Sequence, residues 1–392
     1  MVAQADAASH VRPMLNTVAY YIAFIMLGLT AAVTGPALPW LAEQTQSRID
    51  QISLIFVAGP LGYMIGSLLS GRGYDRFPGH RIQTAMLVLL AAVAAMVPVI
   101  PSVWPLLAVF FLLGIGQAGV DVGCNTLLVW AHGRKVALVM NGLHFFFGIG
   151  SLAAPIVLAL VIGVTGSIRW VYWSFALLML PIAAWLWTLP SPSIRIESPD
   201  DRGKTIPLPL VGLFVAFFVF YVGAEVGYGN WIFTYATTLN LATETAAAYL
   251  TSAFWGFFTM GRLLGVGISA RLRSRTILYL DLLGCLLSMG VILLWPASST
   301  ALWIGTLGLG LSMASVFPTT LAFAEERMRL TGKVTSWFLV GGGIGGMFWP
   351  GLIGQLYEPV GPGVTMTIIF IAILITLPVL VALTLRPKKG VT

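Results

Sequence analysis

Charged side chains are scarce in this chain of 392 residues: Asp, Glu, Lys and Arg together make up 9% of it, whereas 58% is hydrophobic. In a typical soluble domain, about a quarter of all residues are charged. The mean hydropathy of +0.92 points the same way. This composition excludes a soluble globular protein and predicts an integral membrane protein.

Cysteine is equally rare, since the chain contains only Cys124 and Cys285. Both lie within apolar stretches, so we predict neither a disulfide framework nor a metal site. The sequence also lacks a Walker phosphate loop and the CxxC, HExxH and GxSxG motifs of redox proteins, metalloproteases and hydrolases. We therefore expect no enzymatic activity, no cofactor and no ATP-driven pumping by this chain alone.

Long apolar stretches of about 20 residues indicate membrane-spanning helices. Twelve candidate spans lie near residues 18–41, 52–71, 82–100, 104–131, 136–163, 170–189, 208–238, 243–269, 276–295, 298–324, 334–356 and 362–385. The longest polar interruption, residues 191–207, has the Pro, Ser and charge content of a linker. We predict an all-α membrane protein with a six-helix bundle over 1–190, a cytoplasmic linker over 191–207 and a second bundle over 208–392.

The basic residues support twelve spans with both termini in the cytoplasm. Arg48 and Arg169 would face the outside and Arg262 lies within a span, while every other Lys and Arg falls in a cytoplasmic segment. The basic residues that give the net charge of +7 then lie mostly at the cytoplasmic face, where they meet anionic lipid. No nucleic acid partner is therefore predicted. We expect a multi-pass protein of a bacterial inner (plasma) membrane.

The two halves repeat one another at an offset of about 195 residues. Gly148-Ile-Gly150 and Pro155 in span five return as residues 343–345 and 350 in span eleven. Small residues at such positions let neighbouring membrane helices approach closely, so this repeat indicates shape. The acidic residues break it: Asp121 falls opposite 315 or 316, and Glu225 falls opposite Thr30.

Asp121 and Glu225 each lie in the middle of a span, where a charged carboxylate costs about 2.5 kcal/mol or more. Gln117, Asp121 and Asn125 are spaced by four residues and so share one face of a helix. Two amides beside one carboxylate can bind sugar hydroxyls, and the carboxylate can hold a proton or a cation. The alternative is a polar stripe that only joins span four to its neighbours.

Span seven places aromatic residues beside Glu225. Tyr221 and Tyr228 lie four residues before it and three after it, and Trp231 follows. Tyr228 and Trp231 are candidates for stacking on a sugar ring, with helix packing or lipid contact as the alternative. Asn230 joins them only if glycines 227 and 229 loosen the helix. Glu225 itself is either a coupling group or a neutral carboxyl donor.

Span five adds Asn141 and His144, which share a helix face three residues apart. We interpret both as candidate solute ligands, and His144 also as a proton relay, because an unperturbed histidine titrates near pH 6.5. A hydrogen bond from His144 to a neighbouring helix is the alternative.

The loop after span two, GRGYDRFPGHR from Gly71 to Arg81, predicts a cytoplasmic gate. Asp75 ends a helix, and Arg76 and Arg81 can pair with it or with helix-terminal carbonyls, although a solvated turn is the alternative. The corresponding loop of the second half lacks the aspartate, so a latch there would need Asp281 or the Glu325–Glu326 pair. Arg262 within span eight either anchors this gate or extends to the cytoplasm.

Twelve spans in two parallel halves and the loop from Gly71 resemble the major facilitator superfamily. GQAGVDVGCN in span four resembles the acidic-x3-Asn motif of its fucose and hexose symporters, which implies that Asp121 is the proton-linked group and Asn125 a sugar ligand. Span one, with GLTAAVTGPALPWLAEQT from Gly28, and span seven, with GAEVGYGNWIFTYA from Gly223, are more similar to the sodium-dependent glucose transporter members. The second aspartate of the fucose symporters is missing, since Gly35 occupies its place. Glu225 is our candidate to replace it, because helices one, four, seven and ten surround the cavity in this superfamily.

Together, these features predict a secondary active transporter of a neutral monosaccharide, a hexose or a 6-deoxyhexose. We expect proton coupling through Asp121 and Glu225, in a chain that works as a monomer in lipid. Sodium-coupled sugar transport and proton-coupled efflux of amphipathic drugs are the alternatives in transport. A sensor or scaffold without transport is the alternative from another class.

Overall fold

The structure is a computed structural model that describes residues 2–133, 136–192, 208–328 and 332–386. The side chains of residues 2–12, 75, 137, 266, 332 and 333 lie outside this description. Nearly all of the predicted linker 191–207 and basic residues such as Arg134 and Lys135 also lie outside it. The described part of the chain forms helices and no strand, which suits lipid because a helix satisfies its own backbone polar groups.

The helices of the first half begin and end close to the predicted spans. They are α1 (Val2–Ala32), α2 (Thr34–Thr45), α3 (Ile49–Ile52), α4 (Ile55–Arg76), α5 (Gly79–Met96), α6 (Val103–His132), α7 (Val136–Thr165) and α8 (Arg169–Thr188). Those of the second half are α9 (Leu208–Thr238), α10 (Glu244–Ser269), α11 (Ser274–Leu294), α12 (Ser299–Met313), α13 (Val316–Glu325), α14 (Gly332–Val360) and α15 (Val364–Leu385).

Within the described residues, eleven segments are long and apolar enough to cross a membrane. They correspond to eleven of the twelve predicted spans. The remaining span, predicted over 243–269, is present as the 26-residue helix α10 but is less apolar than the others. Polar residues such as Glu244, Thr251 and Arg262 account for its lower hydropathy.

The chain divides into two compact units. The first unit comprises Met1–Ser47 and Ala58–Ser198, and the second comprises Arg48–Val57 and Pro199–Thr392. The grouping of Arg48–Val57 with the second unit was not predicted from the sequence. It follows from side-chain contacts to α14: Ile49 and Arg48 both donate hydrogen bonds to Glu358, at 3.0 Å each.

In the first unit, α1 packs extensively on α7. Their backbones lie so close together that only glycine fits at two positions. A Cβ on Gly28 would overlap the carbonyl oxygen of Phe147, and a Cβ on Gly150 would overlap that of Ile25. In the second unit, α9 packs on α14, where Gly345 meets the carbonyl of Val219 in the same way. The packing role predicted for the repeated glycines is therefore present in both units.

Spans one and ten are each divided into two helices. Span one is interrupted at Val33, between α1 and α2, and span ten at Ala314 and Ser315, between α12 and α13. Pro36 and Pro318 follow these interruptions, and a proline leaves the carbonyl four residues before it without its helical N–H donor. Span seven is not interrupted in this way, because α9 continues through Gly227 and Gly229, so the condition for Asn230 to join the face of Glu225 is not met.

Candidate functional site

Asp121 on α6 is bonded on both carboxyl oxygens. Asn125 donates from Nδ2 to Asp121 Oδ1 at 2.7 Å, and the Tyr63 hydroxyl on α4 donates to Oδ2. The same Asn125 nitrogen also donates to the backbone carbonyl of Asp121 at 2.9 Å. Two donors facing two carboxyl oxygens suit the ionised form, because a carboxylate only accepts hydrogen bonds.

Tyr63 was missed in the sequence, and the glycines around it explain its position. A Cβ on Gly62 would overlap the carbonyl of Phe111, and a Cβ on Gly114 would overlap that of Gly59. These contacts bring the backbones of α4 and α6 together and place the Tyr63 side chain against Asp121. The available signal was the glycine spacing in span two, at residues 59, 62 and 66, with a tyrosine beside the second glycine.

Gln117, one turn before Asp121, connects α6 to α1. Its Nε2 donates to the Thr30 hydroxyl at 3.4 Å, and Thr30 donates in turn to carbonyls within α1. The predicted polar face of α6 is therefore present, and it is partly exposed at Gln117, Asp121 and Asn125. The Gln117 amide uses one of its hydrogen bonds to join α6 to α1, as expected for a polar stripe that joins span four to its neighbours.

Glu225 on α9 forms the corresponding cluster of the second unit. Its Oε2 lies 2.6 Å from the hydroxyl of Tyr221, which is also 2.5 Å from the carbonyl oxygen of Met313 at the end of α12. Arg262 on α10 interacts electrostatically with Glu225, and its guanidinium carbon lies 4.5 Å from the ring centre of Phe258. Arg262 is therefore part of the polar interior of this unit, and its gate role stays a prediction.

Tyr228 and Trp231 are fully buried in the second unit, with exposed fractions of 0%. Tyr228 shares a 2.6 Å hydrogen bond with Thr306, and the Trp231 indole donates to the carbonyl of Pro350 at 3.1 Å. The Trp231 ring also packs against Phe56 and Tyr357. Neither ring offers a free face to a solute in this structure, so a stacking role would require the surrounding helices to separate.

The remaining predicted solute ligands lie on α9 and α7. Asn230 is partly exposed on the regular helix α9. Asn141 and His144 are exposed on α7, and the His144 ring meets Phe24 edge to face at 5.8 Å. The roles of these three residues as solute ligands stay predictions.

The predicted cytoplasmic gate is described only in part. The side chain of Asp75 lies outside the description, Arg76 and Arg81 are exposed, and Gly71 is half-buried near the end of α4. Asp281, which we considered for a second latch, instead accepts a 2.5 Å hydrogen bond from Ser315 inside the second unit. The latch assignments for Asp75, Arg76 and Arg81 stay predictions.

His80 holds the loop after span two and was not predicted from the sequence. Its Nδ1 lies 2.8 Å from the carbonyl of Leu189, and its Nε2 lies 2.6 Å from the Tyr20 hydroxyl. Since a carbonyl only accepts, Nδ1 carries the hydrogen and Nε2 accepts from Tyr20. His80 thereby joins the start of α5 to α1 and to the end of α8.

Comparison with known proteins decides the family. The model of the Major Facilitator Superfamily matches residues 20–350. The chain belongs to this superfamily. It is therefore a multi-pass membrane transport protein and not an enzyme.

Similar proteins include a mouse protein named sodium-dependent glucose transporter 1A, which is 30% identical over 94% of this chain and 97% of its own length. Among solved structures, a D-xylose-proton symporter matches with a TM-score of 0.76 at 13% identity, over 93% of this chain and 97% of that one. The nucleoside transporter NupG matches with a TM-score of 0.70 at 13% identity, over 95% of this chain and 98% of that one. The solved structures thus share the fold.

Proposed function

We propose that this chain is a secondary active transporter of a neutral monosaccharide, a hexose or a 6-deoxyhexose, that works by alternating access. The observation that carries the proposal is the partly exposed polar face of α6, where Gln117, Asp121 and Asn125 follow one another turn by turn. Amides and a carboxylate together both donate to and accept from sugar hydroxyls. The name of the mouse relative supports the same class of solute.

Coupling to protons through Asp121 and Glu225 is the energetic part of the proposal. Both carboxyl groups lie in segments that cross the membrane, where an unneutralised charge is costly. Taking up a proton removes that charge and lowers the cost of closing the protein around its solute. An unprotonated carrier without solute then resists conversion, which ties the flux of solute to that of protons.

Sodium coupling is the second candidate, and one observation favours it specifically. Asp121 accepts hydrogen bonds on both carboxyl oxygens, which suits an ionised carboxylate that can attract a cation. The mouse relative carries sodium dependence in its name. Asp121 and Asn125 supply oxygen ligands for the start of such a site.

The test is uptake into proteoliposomes under an imposed proton gradient, an imposed sodium gradient, or neither. The solutes are hexoses, 6-deoxyhexoses and, for the efflux alternative, lipophilic cations. We expect a proton gradient alone to drive accumulation of one of the sugars. Accumulation that occurs only under the sodium gradient would show that sodium, and not the proton, is the coupling ion. Flux of the lipophilic cations without any sugar flux would overturn the proposed substrate class.

A further inference from the structure

The hydroxyl of Tyr221 lies between two oxygens that belong to different helices. It is 2.6 Å from Oε2 of Glu225 on its own helix α9, and 2.5 Å from the carbonyl oxygen of Met313, the last residue of α12. Both distances lie at the short end of the range for hydrogen bonds between oxygens. A hydrogen atom must therefore lie in each of the two contacts.

Counting hydrogens assigns the protonation state of Glu225. A tyrosine hydroxyl has one hydrogen, and a backbone carbonyl can only accept, so the Tyr221 hydrogen lies on the contact with Met313. The contact between Tyr221 and Glu225 then needs a hydrogen from the carboxyl group. We infer that Glu225 is a neutral acid in this structure, and that Tyr221 connects the presence of its proton to the interruption of span ten.

Asp121 provides the contrast within the same chain. Its two carboxyl oxygens accept from the Tyr63 hydroxyl and from Asn125, so this carboxyl group needs no proton of its own. The two intramembrane acids thus differ in protonation state within one structure. The inference rests on the proposed function only in treating Glu225 as a coupling acid; the hydrogen count itself does not depend on any solute.

Loss of the Glu225 proton changes which bond Tyr221 makes. An ionised carboxylate is a stronger acceptor than a carbonyl, so the Tyr221 hydrogen turns to Glu225. The carbonyl of Met313 then loses this donor at the place where α12 ends and α13 has not yet begun. Ser315, on the other side of the interruption, remains held by its 2.5 Å bond to Asp281. The interruption thus loses the bond from Tyr221 and keeps the bond to Asp281.

The other ionisable groups that interact with Glu225 come from α10 and α11. Arg262 on α10 supplies a positive charge. Cys285 on α11 interacts electrostatically with Glu225 and also with Asp281. Helices α12 and α15 have no ionisable side chain. Those of α13 and α14 lie at the helix ends, at Glu325, Lys333, Tyr357 and Glu358. Arg262 is thus the cation that an ionised Glu225 would attract.

Infrared difference spectroscopy on the purified full chain at neutral pH tests the protonation state. We expect a band from a protonated carboxyl group that is lost in Glu225→Gln and retained in Asp121→Asn. In Tyr221→Phe the band should persist but shift, because the acid loses its acceptor. A spectrum in which neither Glu225→Gln nor Tyr221→Phe changes the band would overturn the inference. The Tyr221 variant keeps the test decisive if Glu225→Gln does not fold.

Hydrogen–deuterium exchange of the segment 311–320 tests the connection to span ten. The exchange rate of the unaltered chain is compared with that of the Glu225→Gln variant at each pH. The ratio of the two rates should increase over the pH range in which the infrared band of the carboxyl group disappears. In Tyr221→Phe, exchange should be fast at every pH, since residue 221 cannot donate to Met313 in either state. Equal exchange in all three proteins would refute the connection. Neither measurement needs a solute, so a failed uptake assay leaves both results interpretable.

Discussion

Tyr63 and Asp121 lie on different helices, and the hydroxyl of the first donates to the carboxyl group of the second. The close approach of α4 and α6 at Gly62 and Gly114 makes this contact possible. It gives the carboxyl group a second donor beside Asn125. Asp121 is thereby fixed in orientation on the polar face of α6, which is the face that the proposed transport mechanism uses.

Removing the Tyr63 hydroxyl should weaken transport without unfolding the protein. A hydrogen bond to a charged group contributes about 1.5 to 3 kcal/mol, so Tyr63→Phe should lower the initial rate of sugar uptake by about tenfold or more. Tyr172→Phe is the matched control, because the Tyr172 hydroxyl is buried without a hydrogen-bond partner. Equal rates in the two variants would show that Tyr63 does not position Asp121.

Replacing Trp231 separates packing from solute contact. The indole is fully buried and bonded to Pro350, so Trp231→Ala should cost about 3 to 5 kcal/mol through the cavity it leaves. We expect a clear loss of thermal stability in detergent, with sugar affinity retained in the fraction that remains folded. Trp337→Ala, which removes a half-exposed indole of the same unit, should leave the melting temperature nearly unchanged. Lost affinity at unchanged stability would instead support the stacking role.

Arg327 should stabilise the end of the last helix. Its guanidinium donates to the carbonyls of Leu383 and Arg386 at 2.7 Å each and to that of Thr384 at 3.3 Å. Burial lowers the pKa of Arg327 from its ordinary value, but a guanidinium stays protonated at neutral pH. Arg327→Lys, which keeps the charge and loses the planar fork, should therefore lower the melting temperature equally across the physiological pH range.

The exposed Arg271 supplies the control for that experiment. Arg271→Lys should have no effect on the melting temperature. If both lysine variants behaved alike, the contacts of Arg327 with α15 would not contribute to stability.

Glu358 should order the start of span two. It accepts from the Arg48 side chain and from the Ile49 backbone, both at 3.0 Å. These groups are exposed, so their contribution to global stability is about 1 kcal/mol at most. We therefore expect Glu358→Gln to speed amide exchange over residues 48–57 while leaving the melting temperature almost unchanged. High salt should produce a similar change in the unaltered chain, because it screens exposed charges. Protection that survives both treatments would argue against this role.

The hydrophobic pattern predicted the helices well, because in lipid the apolar length of a helix has to match the membrane. The interruptions of spans one and ten were not predicted, although Pro36 and Pro318 were visible. A proline in a membrane helix can also be accommodated by neighbouring helices, and the sequence does not say which outcome applies. Glycines 227 and 229 do not interrupt α9, since a glycine keeps its N–H donor and the helix stays regular through them.

The candidate site was predictable only where it lies along one helix. Asn125 is four residues from Asp121, and Tyr221 is four residues from Glu225, so helical spacing places each pair together. Tyr63 reaches Asp121 from another helix, and the carbonyl of Met313 reaches Tyr221, the partner of Glu225, from α12. The Tyr63 contact depends on a close backbone approach that Gly62 and Gly114 permit. Helical periodicity within a single span contains no information about the separation between helices.

Transport with Asp121→Asn in proteoliposomes tests directly whether a carboxyl group in the membrane couples the flux of solute to that of an ion. We expect gradient-driven accumulation of sugar to be lost while exchange of labelled for unlabelled sugar continues, because only the coupled steps need the charge to change. Glu43→Gln, an exposed acid outside the spans, should retain both activities. Uphill accumulation that persists unchanged in Asp121→Asn would show that Asp121 does not couple the two fluxes.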